Sequence, residues 1–296
     1  MIALDPLESL YDAARGTDFP LPPDLAALYG SFRLPLRPGK PHVIGNFVTT
    51  LDGVAALDVP GHLGGGPISG NNPHDRAVMG LLRSAADAVI VGAGTLRASP
   101  RHLWTAEYIS PALAPSYREL RAALGKEGLP LNVVVSASGG IDLDLPVFSS
   151  GSVRSLIVST PEGADRIRRR SLPPAVTIAP VDGAAPIGAG AILSSVRRVC
   201  RGEVILVEGG PRLMADFLAE GRLDELFLTL APQIAGRDGS GERPGFVAGR
   251  RFAPEHPLWG ALVGVKRGGS HLFLRYSFAA EAHRDQGRKG TDLNGS

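Results

Sequence analysis

Residues 204–213 read Val-Ile-Leu-Val-Glu-Gly-Gly-Pro-Arg-Leu, an apolar run followed by a carboxylate, two glycines and a proline. The run has the length and the β-branched character of a buried strand, and apolar residues recur with helical spacing from Leu213 to Leu218. Proline suits the first turn of a helix because its missing N–H would be unpaired there in any case. The stretch therefore predicts a strand, a sharp turn at 208–210 and a helix that ends at Gly221.

A second junction of the same kind lies at residues 88–97, which read Ala-Val-Ile-Val-Gly-Ala-Gly-Thr-Leu-Arg. Its glycines let the backbone approach a ligand, and the Thr95 hydroxyl adds a donor to the N–H groups of a helix start. The third glycine of the dinucleotide-binding fingerprint is missing, so an ordinary tight turn stays open as an alternative. Because ligands bind beyond the carboxyl ends of strands in open α/β sheets, the two junctions together predict one crevice for a phosphorylated cofactor.

Apolar runs bounded by Gly, Pro or Ser predict seven further strands. They are Val43–Thr49, Leu131–Val135, Leu156–Ser159, Val176–Ala179, Leu226–Ala231, Ala261–Val265 and His271–Phe278. Apolar stripes at helical spacing predict helices over Ala77–Ala85 and Ile192–Val199. Strands and helices alternate as far as about residue 220, which predicts parallel βαβ units, and the last strands follow loops, which predicts antiparallel pairing at the end of a mixed sheet.

Composition divides the chain into three parts. Residues 1–41 are a Pro-rich N-terminal extension that we expect to wrap the domain with one short helix near Asp24–Tyr29. Residues 42–279 form the α/β domain, and the polar residues 280–296 are expected to be a flexible tail.

Charge and cysteine content exclude several classes of protein. The 296 residues carry 31 basic and 29 acidic side chains, a balance that does not suit nucleic-acid binding by counterion release. A single cysteine excludes a disulfide framework and sites with several thiolates, and the seven histidines lack metal-ligand spacing, so no metal is expected. No run reaches the ~20 apolar residues of a membrane span, and no signal peptide is visible, so a cytoplasmic protein with no membrane partner is expected.

Other polar residues near the strand ends are candidates for the site. Asp52 lies in the turn after the first predicted strand, where Asp-Gly also suits a plain turn. Ser69 or Asn71 precedes a helix and could simply cap it. Arg83 could clamp an anion in the crevice or point to water. Glu208 is costly to bury alone, so it should meet a ligand or a donor.

Seven segments in order resemble the reductase domain of riboflavin biosynthesis, the C-terminal domain of the bifunctional deaminase/reductase. They are Thr50–Gly53, Ile68–Gly70, Leu82–Ser84, Asp87–Ala88, Gly92–Leu96, Glu208–Pro211 and Leu223–Glu225 with the following strand to Pro232. The resemblance implies a dihydrofolate-reductase-like α/β fold of three layers. Its central sheet is mixed and mostly parallel, with helices on both faces and antiparallel C-terminal strands.

The same resemblance implies an oxidoreductase that uses NADPH to reduce the ribosyl group of a ribosylaminopyrimidine 5′-phosphate to ribityl. It implies Asp52 and Glu208 as catalytic residues. The implied cofactor-binding residues are Thr95, Ser99, Ser136, Gly209, Gly210, Pro211, Arg212 and Leu213. The implied substrate-binding residues are Ser69, Arg83, Leu103 and Glu208. Gly210 is expected to lie against the cofactor, with Gly209 and Gly210 at φ values closed to other residues.

Three positions depart from the family pattern. Asn46 stands where many members carry lysine, Val54 where a basic residue is common, and Ser99 where an acidic one is common. Two other functions therefore stay open: a reductase of the same fold for another carbonyl, imine or pterin-like substrate, and a nucleotide-binding homologue without catalysis. A small-molecule substrate is also expected. A homodimer is expected because Leu226–Ala231 and His271–Phe278 could lie near a sheet edge, where family members pair.

Overall fold

The computed structural model describes residues 4–57, 59, 64–183, 185–239 and 242–279. The predicted tail, 280–296, lies outside these residues. The strands are β1 Glu8–Asp12, β2 Thr17–Asp18, β3 Arg33–Leu34, β4 His42–Thr49, β5 Ala88–Gly92, β6 Leu131–Val135, β7 Ser155–Ser159, β8 Val176–Pro180, β9 Val204–Val207, β10 Glu225–Leu230, β11 Ala261–Gly268 and β12 His271–Ser277.

The helices are α1 Pro23–Tyr29, α2 Gly66–Ser69, α3 Pro73–Ala85, α4 Ala93–Ala98, α5 Ala106–Ile109, α6 Ala114–Ala123, α7 Pro146–Ser149, α8 Pro161–Arg168, α9 Ala189–Val199 and α10 Pro211–Ala219, with a 3₁₀ turn at Pro111–Leu113. All nine predicted strands and the helices α3, α9 and α10 are confirmed, with bounds that shift by a few residues at most. Gly221 follows α10 with φ 59°, as a C-terminal glycine should. Within the described ranges, no helix is long and apolar enough to cross a membrane.

One ten-stranded sheet runs in the order β1-β11-β12-β10-β4-β9-β5-β6-β7-β8. The strands from β10 to β8 are parallel, and β12, β11 and β1 pair antiparallel at the other end. The expected dihydrofolate-reductase-like fold, with a mixed and mostly parallel sheet, is confirmed.

The strand order reverses around β9. Strands β5 to β8 extend the sheet in one direction, after which the chain returns and inserts β9 between β4 and β5. In the parallel register, Val207 of β9 pairs with Gly45 on one side and with Ile90 on the other. The carboxyl ends of these strands therefore meet at a topological switch point, where α/β sheets bind ligands.

Alternation along the strands divides the buried side chains between two cores. Ile44, Val89 and Leu206 face the core that holds α3 and α6. The next residues along the strands, such as Val43 and Ile90, face the core that holds α9 and α10. The sheet is thus covered on both faces, and burial of these apolar side chains fixes where each strand ends.

The N-terminal residues are part of the same packing unit. The predicted short helix is α1, and Phe19, Leu25, Phe32 and Leu34 are buried in the core beside α3. Strand β1 pairs with β11 and forms one edge of the sheet. Sequence patterning missed β1 because all of its residues are exposed, so no apolar alternation marks it. The boundary at 41/42 stays a prediction.

The expectation that the late strands lie near a sheet edge is wrong. Strand β10 lies between β4 and β12, and β12 lies between β10 and β11. The ends of the sheet are β1 and β8 instead, because the N-terminal segment supplies an outer strand. A dimer contact therefore cannot pair backbone with β10 or β12.

Candidate functional site

The two glycine-rich junctions lie side by side. A β-carbon on Gly210 would lie 3.5 Å from the Thr95 hydroxyl oxygen, an ordinary contact between residues that are far apart in sequence. β-Carbons on Gly92 and Gly94 would meet no described atom within 4 Å, so the backbone there faces open space. Helix α10 starts at Pro211, and its N-cap residue, Gly210, has no side chain, so within the described part of the chain no side-chain cap covers the helix start. Open backbone and an uncapped helix start fit the predicted phosphate cradle.

The reason for glycine at 209 and 210 differs from the expectation. Gly210 has φ −68° and ψ 172°, and Gly209 does not have a positive φ either. The expectation that both glycines adopt φ values closed to other residues is therefore wrong. At Gly209 the cause is space: a β-carbon would come within 2.3 Å of the Leu213 side chain. Leu213 folds back over the turn because it lies one helical turn further on.

Glu208 and Arg83 form a buried ion pair at the end of β9. Arg83 donates from Nε and Nη2 to Oε2 of Glu208, at 2.9 and 2.8 Å. The side chains are only 1% and 5% exposed. The second carboxylate oxygen, Oε1, accepts from the Asn46 amide at 3.0 Å. Glu208 therefore meets donors inside the protein, as its burial requires.

The remaining donor of Arg83 is also used. Its Nη1 donates to the Thr105 carbonyl at 3.1 Å and to His102 Nε2 at 2.9 Å. Burial, together with the positive charges of Arg83 and Arg76, lowers the pKa of His102 to about 3. The imidazole is thus neutral and accepts from Arg83. The suggestion that Arg83 points to water is wrong, and its role in substrate binding stays a prediction.

Asp52 ties two loops together. Its Oδ1 accepts from the Thr50 hydroxyl at 2.5 Å and from the Ala235 N–H at 3.1 Å, and its Oδ2 accepts from the Gly236 N–H at 2.8 Å. The Thr50 hydroxyl, followed by these backbone donors, lowers the pKa of Asp52 to about 2. The carboxylate is ionised at neutral pH, and its catalytic role stays a prediction.

Ser69 is buried at the end of α2 and does not cap α3. The cap is Asn72, whose Oδ1 accepts from the N–H groups of His74 and Asp75. The suggestion that Ser69 or Asn71 caps this helix is therefore wrong. The Ser69 carbonyl accepts from His271 on β12 at 3.0 Å. Ser69 thus lies between α3 and the C-terminal strands.

The other predicted site residues lie at the same edge of the sheet. Ser99 follows α4, and its N–H donates to the Thr95 carbonyl at 3.1 Å. Ser136 follows β6 and is buried. Leu103 is half-buried beside His102 and packs on the core. Pro211 and Arg212 form the first turn of α10. The structure thus brings the predicted cofactor residues to one edge.

Three residues of the site were not predicted: His102, Thr229 and Asp75. Asp75 is buried on α3, where it shares a face with Val78 and Leu82. The spacing i, i+3, i+7 was visible in the sequence, and a carboxylate on an apolar stripe is the signal that could have found it. Thr229 and Asn46 line one cavity, together with Val78.

Residues 41–251 match the RibD C-terminal domain family. The chain belongs to this family. The sequence-based family assignment is therefore confirmed, and the coarser function follows: a reductase-type oxidoreductase of a riboflavin-pathway family, whose members use a nicotinamide cofactor. A comparison with curated proteins finds no match.

Solved structures share the fold. A pyrimidine reductase-like protein from Corynebacterium diphtheriae is similar, with a TM-score of 0.63 and 24% identity over 86% of this chain and 97% of that one. A deaminase/reductase from Thermotoga maritima gives a TM-score of 0.57 and 20% identity, with coverage of 80% and 56%. The riboflavin biosynthesis reductase Rib7 of Saccharomyces cerevisiae gives a TM-score of 0.51 and 16% identity, over 82% of this chain and 92% of that one.

We predict that Glu208→Gln destabilises the protein by about 3 kcal/mol, because the amide leaves the buried Arg83 charge without its counterion. Urea unfolding at pH 7 measures the loss. The matched control is Asp216→Asn, since the Arg250 partner of Asp216 is 46% exposed and a solvated pair contributes about 1 kcal/mol or less. Equal losses in the two variants would contradict a special role for the buried pair.

Proposed function

We propose that the protein is an NADPH-dependent reductase that converts the ribosyl group of a ribosylaminopyrimidine 5′-phosphate to ribityl. Family membership supports the reaction class. The observation that carries the proposal is the proximity of Thr95 to Gly210, where a β-carbon would lie 3.5 Å from the Thr95 hydroxyl oxygen, so that two glycine-rich strand ends lie together at the switch point of the sheet. The open backbone beside them is the kind of surface that a pyrophosphate requires.

The residues of this edge fit a dinucleotide. We assign the pyrophosphate to the first turn of α10, at Arg212 and Leu213, and to the Thr95 hydroxyl. The adenosine half would lie toward Ser136, at the end of β6, which is separated from β9 by β5. Reduced nicotinamide supplies the hydride when it is bound. The protein's contribution is to align the two reactants and to exclude water.

The substrate would lie on the other side of Glu208, in the cavity that Asn46, Val78 and Thr229 line. The Arg83–Glu208 pair fixes the orientation of the Asn46 amide, which could then bind a polar group of the substrate. Asn46 also favours a second substrate class, because its amide carries no charge at a position where lysine is common in the family. That class is another carbonyl, imine or pterin-like compound.

Thr95→Val tests the cofactor site. We expect the variant to bind NADPH about tenfold more weakly, because one hydrogen bond to a charged phosphate is lost, about 1.4 kcal/mol. Thr95→Ser keeps the hydroxyl and is the matched control, with a dissociation constant close to that of the wild type. Fluorescence titration measures both variants and compares NADPH with NADH, for which we expect weaker binding to the wild type.

Turnover with a panel of substrates decides among the three functions. Oxidation of NADPH with the ribosylaminopyrimidine phosphate supports the proposed reaction, and oxidation with a different carbonyl or pterin-like compound supports the second class. Binding of NADPH without any turnover would indicate the non-catalytic homologue. Equal affinity of the two Thr95 variants would contradict the assigned phosphate site.

We also propose that the enzyme is a homodimer, as the family resemblance implies, and that it acts in the cytoplasm. Since β10 and β12 lie inside the sheet, the contact must use side-chain surface or an outer strand. Light scattering at micromolar concentration should give twice the mass of the chain. The mass of a single chain would contradict the dimer and leave the reductase assignment intact.

A further inference from the structure

The substrate of the proposed reaction ends in a phosphate, which needs a cation or several hydrogen-bond donors when it is bound away from water. Arg83 is poorly placed to supply them. It is 1% exposed, and each of its three guanidinium nitrogens already donates to a partner inside the protein. A phosphate beside it would also meet the Glu208 carboxylate. The phosphate therefore needs other donors within the cavity that Asn46 and Thr229 line.

This cavity extends across four strands of the sheet, from β4 to β11. Thr229 of β10, Phe273 of β12 and Lys266 of β11 are direct cross-strand neighbours, so their side chains lie on the same face. Neighbouring strands are about 4.8 Å apart, which separates the backbones at Thr229 and Lys266 by about 10 Å. A sugar chain that ends in a phosphate has a comparable length. A ligand whose sugar lies beside Thr229 can therefore bring its phosphate to Lys266.

Lys266 is a cation without a counterion at the β11 end of the cavity. Its side chain is half-buried, and its Nζ lies 4.8 Å from the centre of the Tyr29 ring. Among the described residues, it forms no ion pair and no hydrogen bond. Burial lowers the pKa of Lys266, while the charges of Asp12 and Arg275 act on it with opposite signs. An anionic ligand would supply the counterion that the fold does not provide.

Two other charged groups line the cavity, and both have partners of their own. Arg275 donates from Nε to Oε2 of Glu225 at 2.7 Å, and this pair is almost fully buried. Its charge is therefore balanced within the protein. Asp12 accepts at Oδ1 from the Ala14 N–H at 2.9 Å and forms no ion pair with Lys266 in the described structure. Its negative charge opposes the binding of an anion, which gives the sign of one test below.

Two hydroxyl groups belong to the same end of the cavity. Tyr29 is the last residue of α1, Ser31 follows two residues later, and both line the cavity. Burial raises the pKa of Tyr29 to about 12, so its hydroxyl keeps the proton and can donate at neutral pH. Neither hydroxyl forms a hydrogen bond within the part of the chain that the structure describes. Both are therefore open to an acceptor such as a phosphate oxygen.

On the basis of the proposed reductase function, we propose that Lys266, Tyr29 and Ser31 bind the phosphate of the substrate at the β11 end of this cavity. The sugar chain then runs along the cavity toward Asn46, beside which the nicotinamide is expected. All three residues lie outside residues 41–251, which match the family. The N-terminal segment thereby contributes two donors to the substrate site, in addition to its packing against the sheet.

Lys266→Gln tests the proposal, because glutamine keeps much of the side chain and removes the charge. With NADPH and the ribosylaminopyrimidine 5′-phosphate, we expect KM to rise about tenfold, with a smaller effect on kcat, since the phosphate is bound in both the ground and the transition state. The dissociation constant for NADPH should stay within about twofold of the wild type, and Lys266→Arg, which keeps the charge, should keep KM within about threefold.

Calorimetry without cofactor gives a readout that does not depend on turnover. The wild type should bind ribose 5-phosphate more tightly than either ribose or inorganic phosphate, and Lys266→Gln should lose about tenfold in affinity for ribose 5-phosphate. Asp12→Asn should bind it about threefold more tightly, because a like charge is removed. The amide oxygen of this variant can still accept from the Ala14 N–H, so the turn is kept.

Arg267→Gln is the matched control, because it removes the same charge from the next residue of β11. Adjacent residues of a strand point to opposite faces of the sheet, and Arg267 pairs with Glu8 of β1. We expect this variant to keep both the affinity for ribose 5-phosphate and the KM of the wild type. Equal losses in Lys266→Gln and Arg267→Gln, or in Lys266→Gln and Lys266→Arg, would overturn the inference.

Three further outcomes separate the possible sources of the anion. A wild type that does not bind ribose 5-phosphate, or that binds inorganic phosphate as tightly, would overturn the assignment to a substrate. Weaker binding of NADPH by Lys266→Gln would place a cofactor phosphate at this end of the cavity, and would overturn it as well. If the wild type shows no turnover but binds ribose 5-phosphate, and Lys266→Gln loses that binding, the proposed function fails and the phosphate subsite stands.

Discussion

The buried ion pair between Arg83 and Glu208 is the constraint on which the site depends. It joins a side chain of α3 to the end of β9 across 125 residues of sequence. Neither charge can be left alone at this depth without a cost of several kcal/mol. The pair therefore determines where α3 lies over the sheet, and with it the positions of Ser69 and Asp75 beside the same strand ends.

The pair also determines the electrostatics of the crevice. Burial and then the charge of Arg83 lower the pKa of His102, and Glu208 orients Asn46 and adds to the cost of ionising Asp75. On one side of Glu208 lie the open glycine backbone and the start of α10, which suit a phosphorylated cofactor. On the other side lies a cavity lined by Asn46 and Thr229 together with apolar side chains and the charged Asp12, Lys266 and Arg275. Because Arg83 and Glu208 neutralise each other within the protein, the groups that react at this site are those of the cofactor and the substrate.

Local patterns predicted most of the sheet and the edge where the site lies. The strand of residues 204–207 is apolar throughout because it is buried on both faces, and Gly-Gly-Pro marks the turn into α10. Strand β1 was not predicted, since its exposed residues pair only through their backbone. The partners of Arg83 were not predictable either, because an ion pair between distant residues leaves no periodic signal. Asp75 does show a periodic signal in the sequence, because its carboxylate lies on an apolar stripe of α3.

A crystal structure of the protein with NADPH tests the central claim most directly. The account predicts the pyrophosphate against the first turn of α10 and the Thr95 hydroxyl, the adenosine toward Ser136, and the nicotinamide beside Glu208, facing the cavity of Asn46 and Thr229. The Arg83–Glu208 pair should remain intact under the bound cofactor. Cofactor density at the amino ends of the strands, or a Glu208 side chain released from Arg83, would contradict the account.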